Sequence, residues 1–368
     1  MQSPAIVEID LGALAENYRV LAQAATPGNC AAVVKANAYG LGVEPVARRL
    51  QIAGCRHFFV ATPEEGFELR RSLAECEIFV FDGLCGLDPE LFIDARLTPV
   101  INSRAELHRW AGSGPAAVHI DTGMNRLGLS ADDVSALGME ADRMPAVDVR
   151  YVMTHLACAD EPEHAMNASQ LEAFEEARSI WPEAKTSVGN SAAALLGDAF
   201  RSDLARPGIA LFGANPFRRE AAPLEPVVTV RARILQLRDV GAGETVGYGA
   251  SFVAEGPMRV AVVGIGYADG YLRSLSNCGI AEVGGLRVPV VGRVSMDLVC
   301  LDVSELARDS VKEGDWATMI GGSVSLEELA SLAGTINYEL LTSLGNRLER
   351  VYRDDGFLRE SNDGGSPT

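Results

Sequence analysis

Lys35 stands at the end of the apolar run 30–34, inside Val-Val-Lys-Ala-Asn-Ala-Tyr-Gly at 33–40. That run is short, becomes β-branched and stops abruptly, as a buried parallel strand does. A lysine leaving the C-terminal end of such a strand is partly desolvated. Desolvation disfavours the ammonium form, lowers the pKa and frees the amine as a nucleophile. The plainer alternative is an amine that snorkels to solvent. Other candidates are His155 at a strand end, Ser191 before the helix-like stretch 192–196, and Arg206 in an Ala-Arg-Pro-Gly turn. Taken singly, each has an ordinary role: a satisfied core histidine, a helix N-cap and a surface ion pair. Only their company decides.

Two further motifs carry no weight. Gly264-Ile-Gly-Tyr-Ala-Asp-Gly270 resembles a dinucleotide-binding loop, but its third glycine comes one residue late and no helical pattern follows. The acidic cluster 172–176 reads as the solvated face of a helix.

The elements that must position these residues fall into two blocks. The chain has 368 residues, enough for two domains or a large barrel with an appendage. Up to about residue 220, short apolar runs alternate with amphipathic stretches. Strands are expected at 31–34, 58–61, 78–81, 98–101, 117–120, 149–153, 186–188 and 205–206, and helices at 14–21, 43–53, 64–73, 105–111 and 169–180. Eight such units imply an α/β fold, a (β/α)8 TIM-type barrel over residues 1–223. Near 223 the period changes to two, with runs at 227–237, 258–263, 286–291, 298–303 and 316–320 between glycine-rich turns. This predicts a separate, mostly antiparallel β domain over 224–360. The polar tail 361–368 is expected to be disordered.

Composition narrows the function. The formal net charge is −18 with no basic cluster, which argues against nucleic acid and anionic membranes as partners. No apolar run approaches the ~20 residues of a membrane span, and the N-terminus lacks a signal peptide's pattern. Seven cysteines at irregular spacing fit a reduced, cytoplasmic protein, and the five histidines show no metal-ligand spacing.

Nine segments, in order, resemble the alanine racemase family of fold-type III pyridoxal-phosphate enzymes, over roughly residues 5–353. They are Val-Val-Lys-Ala-Asn-Ala-Tyr-Gly-Leu-Gly at 33–42, Asp-Thr-Gly-Met-Asn-Arg-Leu-Gly at 121–128 and Thr-His-Leu-Ala at 154–157. Then follow Gly-Asn-Ser-Ala-Ala at 189–193, Ala-Arg-Pro-Gly-Ile-Ala-Leu-Phe-Gly at 205–213 and Val-Gly-Tyr-Gly at 246–249. Gly-Tyr-Ala-Asp-Gly at 266–270, Gly-Arg-Val-Ser-Met-Asp at 292–297 and Ile-Asn-Tyr-Glu at 336–339 complete the series.

The resemblance implies that Lys35 carries pyridoxal 5'-phosphate covalently and acts as one of two bases, with Tyr248 as the other. It implies a phosphate site of Tyr39, Ser191, Tyr338 and the backbone at Gly208 and Ile209. Hydroxyls and free amides on glycine-rich turns suit a dianion. Arg206 is implied to face the pyridine nitrogen and His155 to adjoin it. Arg126 is implied to bind the cofactor's phenolic oxygen and the substrate carboxylate, with Met296, Asp297 and Tyr267 bordering the substrate. The family's head-to-tail homodimer sets Lys35 of one subunit against Tyr248, Tyr267 and Met296 of the other. The implied activity is interconversion of L- and D-alanine, supplying D-alanine for peptidoglycan.

Two departures stand out. Where many relatives carry a carbamylated lysine, two residues before Asp-Thr-Gly, this chain has His119, which leaves Arg126 to be held by an anion such as chloride or by neutral hydrogen bonds. Ser295 stands where cysteine is common and makes the cavity slightly smaller and more polar, so serine is the alternative substrate. Barrel-type decarboxylases usually set a carboxylate at the pyridine nitrogen, against Arg206. Pyridoxal-phosphate homeostasis proteins are single barrels, against the β domain.

Overall fold

The structure is a computed structural model and describes residues 3–140, 146–217 and 222–354. The tail 361–368 lies outside the described residues. The chain divides into two compact units, one of residues 14–38 and 42–225, the other of residues 1–13, 39–41 and 226–368.

In the first unit seven parallel strands follow one another in sheet order: Ala32–Val33, His57–Val60, Glu77–Val80, Leu97–Ile101, Pro115–His119, Asp148–Met153 and Lys185–Ser187. An eighth, Leu204–Ala205, pairs in parallel with Asn29–Cys30, which leads directly into the first. The series therefore returns on itself, as a TIM-type (β/α)8 barrel requires. Between the seventh and eighth strands the Arg206 N–H donates to the Gly189 carbonyl at 2.6 Å. All eight expected strands are present within two residues of their expected bounds. Their side chains are buried on both faces, which is why they read as continuous apolar runs. Phe59 stacks on Phe79 at 4.5 Å and on Phe81 at 4.9 Å, an aromatic column across the second and third strands.

The helices are Leu11–Ala25, Val43–Ile52, Pro63–Ser72, Pro89–Asp94, Arg104–Trp110, Ala131–Met139 and Ala165–Ala177. Most begin at a side-chain cap: Thr62 with Glu65 and Ser130 with Asp133 form capping boxes, and Ser103 and Asp88 accept from the first turn. The short helices Pro89–Asp94 and Ala131–Met139 were not expected from the sequence pattern. After the seventh and eighth strands only 3-10 turns follow.

The second unit is a mostly antiparallel sheet built around the long strand Val228–Val240. It pairs with Ala5–Asp10, Met258–Val263 and Trp316–Ile320. Ile280–Val283, Leu286–Pro289 and Val299–Asp302 extend the sheet, and Glu349–Arg353 runs parallel to Ala5–Asp10. The register sets Val7 opposite Val230 and Ile9 opposite Val228, all four buried. Every strand expected after residue 223 is present. Ala5–Asp10, Ile280–Val283 and Glu349–Arg353 were not expected, nor were the helices Leu326–Ala333 and Asn337–Thr342. Among the described residues no helix is long and apolar enough to cross a membrane.

Gly40 shows how tightly the segment 39–41 is held in this unit. Its φ is +83°, its carbonyl accepts two bonds from Arg350, and a Cβ there would lie 2.7 Å from the Leu341 carbonyl oxygen. Gly40→Ala is expected to destabilise by about 2–3 kcal/mol through strain and this clash. Urea unfolding monitored by circular dichroism measures it; a wild-type midpoint would remove the constraint.

Candidate active site

Lys35 follows the first barrel strand and opens a turn of unusual hand. Ala36, Asn37, Ala38 and Tyr39 all have φ between 53° and 56°, left-handed helical values, and none is a glycine. Each such residue costs about 1–2 kcal/mol in isolation. The turn is held by hydrogen bonds from several of its polar groups. The Ala36 N–H donates to Glu65 Oε1 at 2.7 Å, the Ala38 N–H to the Val34 carbonyl, and Asn37 Oδ1 accepts from the Val43 N–H at 2.7 Å. Lys35 is thereby set half-buried, with Nζ 5.7 Å from the centre of the Phe81 ring at the end of the aromatic column. Burial, and then the charge of Arg126, lower its pKa from the ordinary 10.5, while Asp82 and Glu65 pull the other way. The amine expected to be nucleophilic has the environment for it.

Arg206, directly after the eighth strand, is buried, and its hydrogen bonds go to neutral acceptors. Nη1 donates to Ser187 Oγ and Nη2 to the Thr154 carbonyl at 2.6 Å. It has no carboxylate partner among the described residues. Burial brings its pKa down to about 9, so it stays a cation at neutral pH. His155 lies within electrostatic reach: burial first, then Arg206, Arg126, His119 and Lys35, hold its pKa well below 6.5. The imidazole is neutral beside two guanidiniums and an amine. The barrel thus gathers cations against few anions, an arrangement suited to an anionic ligand.

Ser191 Oγ accepts from the N–H groups of Gly208 (2.8 Å) and Ala210 (3.3 Å), at the start of the 3-10 turn Ile209–Phe212. The Ser191 hydroxyl thus meets the amide of Gly208, as expected for the phosphate site, and that of Ala210 in place of Ile209. In the β unit the rings of Tyr39 and Tyr338, also assigned to that site, lie 6.2 Å apart, and burial raises the Tyr39 pKa.

His119 differs from a bare replacement for a charged group. Asn102 Nδ2 donates to the carbonyls of Phe81 and Val100, so its Oδ1 must accept from His119 Nδ1, 3.0 Å away. His119 is the Nδ1–H tautomer, and burial followed by Arg206 pulls its pKa down to about 4. His119 therefore presents a neutral ring nitrogen and not an anion. Arg126 itself is exposed on a loop ordered by Asp121, whose Oδ1 accepts from the N–H groups of Gly123 and Asn125.

The remaining candidates lie on the β unit and are exposed. Tyr248 is 72% exposed on the 3-10 turn Tyr248–Ala250, after Gly247 at φ +76°. Tyr267 and Met296 sit on adjoining loops, joined by Tyr267 N–H to the Ser295 carbonyl and Ala268 N–H to the Met296 carbonyl. Asp297 is held by Arg347, which also grips the buried Asp269. Sequence reasoning missed Asn102, Glu65, Ser187 and Arg347. Only Glu65 had a visible signal, the capping box begun by Thr62.

Known proteins match both units. The family model "Alanine racemase, N-terminal domain" matches residues 9–216 and "Alanine racemase, C-terminal domain" matches 227–352. The chain belongs to the alanine racemase family. It is therefore an enzyme of the racemase class. A catabolic alanine racemase of Agrobacterium fabrum is 44% identical over 95% of this chain and 92% of its own length. A biosynthetic one from the same organism is 42% identical, over 95% of this chain and 94% of its own. Among solved structures, an alanine racemase from Bartonella henselae with covalently bound pyridoxal phosphate has a TM-score of 0.91 at 39% identity, over 96% of this chain and all of that one. The biosynthetic alanine racemase of Pseudomonas aeruginosa gives 0.88 at 35%, with the same coverage.

His119 yields a pH test. Its pKa is depressed in the folded chain, so the unfolded chain takes up the proton first as pH falls. The associated stability is complete above pH 6.5 and is lost between 6.5 and about 4, by about 3 kcal/mol in all. Denaturant titrations across that range should show a shallower loss for His119→Asn. An identical slope would exclude this histidine as its source.

Proposed function

We propose that the protein interconverts L- and D-alanine with pyridoxal 5'-phosphate attached at Lys35. The observation that carries this is the barrel's cationic interior: a half-buried amine of lowered pKa, a neutral histidine, and a buried guanidinium with no carboxylate. That donor set fits an anionic cofactor. When bound, the cofactor withdraws electrons from the substrate's Cα and so acidifies its hydrogen.

The chain's residues would do the rest. Tyr39, Ser191, Tyr338 and the backbone at Gly208 and Ile209 hold the phosphate. Arg206, a cation that only donates, would serve the ring nitrogen and disfavour a proton there, which would suit racemisation over transamination. Arg126 binds the substrate carboxylate, and Met296, Asp297 and Tyr267 bound the substrate. Lys35 exchanges a proton on one face of Cα. The partner subunit's Tyr248 exchanges one on the other, in a homodimer whose sites are shared. The strong exposure of Tyr248 in one chain supports its use by another. The setting is cytoplasmic, and neither nucleic acid nor membrane is a partner.

The leading role is supply of D-alanine for peptidoglycan. A catabolic role is the second reading, favoured by the catabolic relative at 44% identity. Complementation of a D-alanine auxotroph at native expression distinguishes them: growth supports the first, failure the second.

Purified holoenzyme with L-alanine in deuterated water should yield D-alanine labelled at Cα; unlabelled D-alanine would refute proton exchange with solvent. Serine in the same assay measures breadth. Lys35→Ala and Tyr248→Phe should each reduce turnover by about a thousandfold or more. Refolded together, they form mixed dimers holding one intact site, and activity should return. Mixed dimers that stay inactive would end the shared-site reading.

A further inference from the structure

Gln170 lies on the helix Ala165–Ala177, is 1% exposed, and has no part in the chemistry above. Its amide is fully used. Nε2 donates to the His155 carbonyl at 3.0 Å and to Thr122 Oγ1 at 3.2 Å, and Oε1 accepts from the Ala157 N–H at 2.8 Å. Because a carbonyl can only accept and an N–H only donate, the amide's orientation is fixed. Thr122 Oγ1 is 2.8 Å from Thr154 Oγ1, and the Thr154 carbonyl accepts from Arg206 Nη2.

One buried amide therefore spans the peptides on either side of Leu156, next to His155. Through Thr122 it grips the loop that bears Arg126. Through Thr122 and Thr154 it reaches the backbone group that anchors Arg206. The loop also packs on the same helix, since a Cβ at Gly123 would meet Met166 at 3.2 Å and Gln170 at 3.9 Å. An apolar side chain of equal volume would fill this space but strip the Ala157 N–H and the His155 carbonyl of this partner. What the amide adds is direction.

We infer that Gln170 is a positioning residue of the racemase site, fixing the His155 turn and the Arg126 loop relative to Arg206. This rests on the proposed role of those three residues. Misplacement of a reacting group by about 1 Å can cost a hundredfold in rate, so the effect should be large for a residue that touches no substrate.

The test compares cofactor-loaded wild type with Gln170→Met, which keeps the volume and removes all three bonds, and Gln170→Glu, which keeps the acceptor for Ala157 and loses both donors. Readouts are kcat and KM for alanine, the pH profile, the thermal midpoint and the pH titration of the cofactor's visible absorbance. Gln170→Met should lower kcat/KM about ten- to hundredfold and shift the absorbance titration. Gln170→Glu should lower kcat/KM as well, because the donors to the His155 carbonyl and to Thr122 are lost while the acceptor for Ala157 remains. Wild-type kinetics and titration in both variants would overturn the inference. Should Gln170→Met not fold, Thr122→Val removes the bonds of Thr122 to Gln170 and Thr154 and leaves those of Gln170 to His155 and Ala157 in place. It should raise KM with kcat within about twofold, and an unchanged KM refutes the positioning role. Absence of alanine turnover in the wild type would defeat the proposed function instead, and the absorbance titrations would still report on Gln170.

Discussion

The left-handed turn after Lys35 is the constraint on which the site depends. Four consecutive non-glycine residues hold a conformation that each would leave if free. Their restraints come from separate stretches of chain: the carboxylate of Glu65, which also accepts from the Thr62 N–H at the start of its own helix, the amide of Asn37 against Val43, and the ring of Tyr338 beside Tyr39. Gly40 and Leu41 continue the line, their carbonyls accepting from Arg350 and Tyr352. A regular right-handed helix begun at the strand end would send the backbone elsewhere. The reverse turn ends the strand at once and leaves the amine at its tip.

Electrostatics inside the barrel follows from who lacks a partner. Arg206 is surrounded by carbonyls and a hydroxyl, so its charge is solvated by dipoles without being neutralised. That uncompensated charge keeps His155 and His119 neutral and adds to the burial that depresses them. Arg126 contributes in the same sense to Lys35. The site is therefore pre-set for negative charge, and the outer helix Ala165–Ala177 supports it with a neutral amide where an acid would have cancelled the effect.

Much of this was legible in the sequence. The eight barrel strands are buried on both faces and announce themselves as apolar runs, and the change to period two near residue 223 marks the antiparallel strands. Ala5–Asp10 escaped because its antiparallel partner begins more than 200 residues away, and local pattern cannot supply that pairing. Glu349–Arg353 escaped because Glu-Arg-Val-Tyr-Arg is too charged to read as a strand. In the site, only Lys35 had a local setting that suggested chemistry; Arg206 and Ser191 read singly as an ion pair and a helix N-cap, and motif order supplied their roles. Asn102, Ser187 and Gln170 were invisible, since a buried amide or hydroxyl matters only through the direction in which it is held. The hand of the turn at 36–39 was equally hidden: Ala-Asn-Ala-Tyr contains no glycine to betray it.

The Asn102–His119 pair has a further meaning. A carbamylated lysine exists only while dissolved carbon dioxide is available to add to its amine, so its charge rises and falls with bicarbonate and with pH. An imidazole fixed in one tautomer by a side-chain amide needs no such adduct. In this chain the His119 ring is fixed by Asn102 as soon as the polypeptide has folded, and that bond is indifferent to the gas dissolved around it.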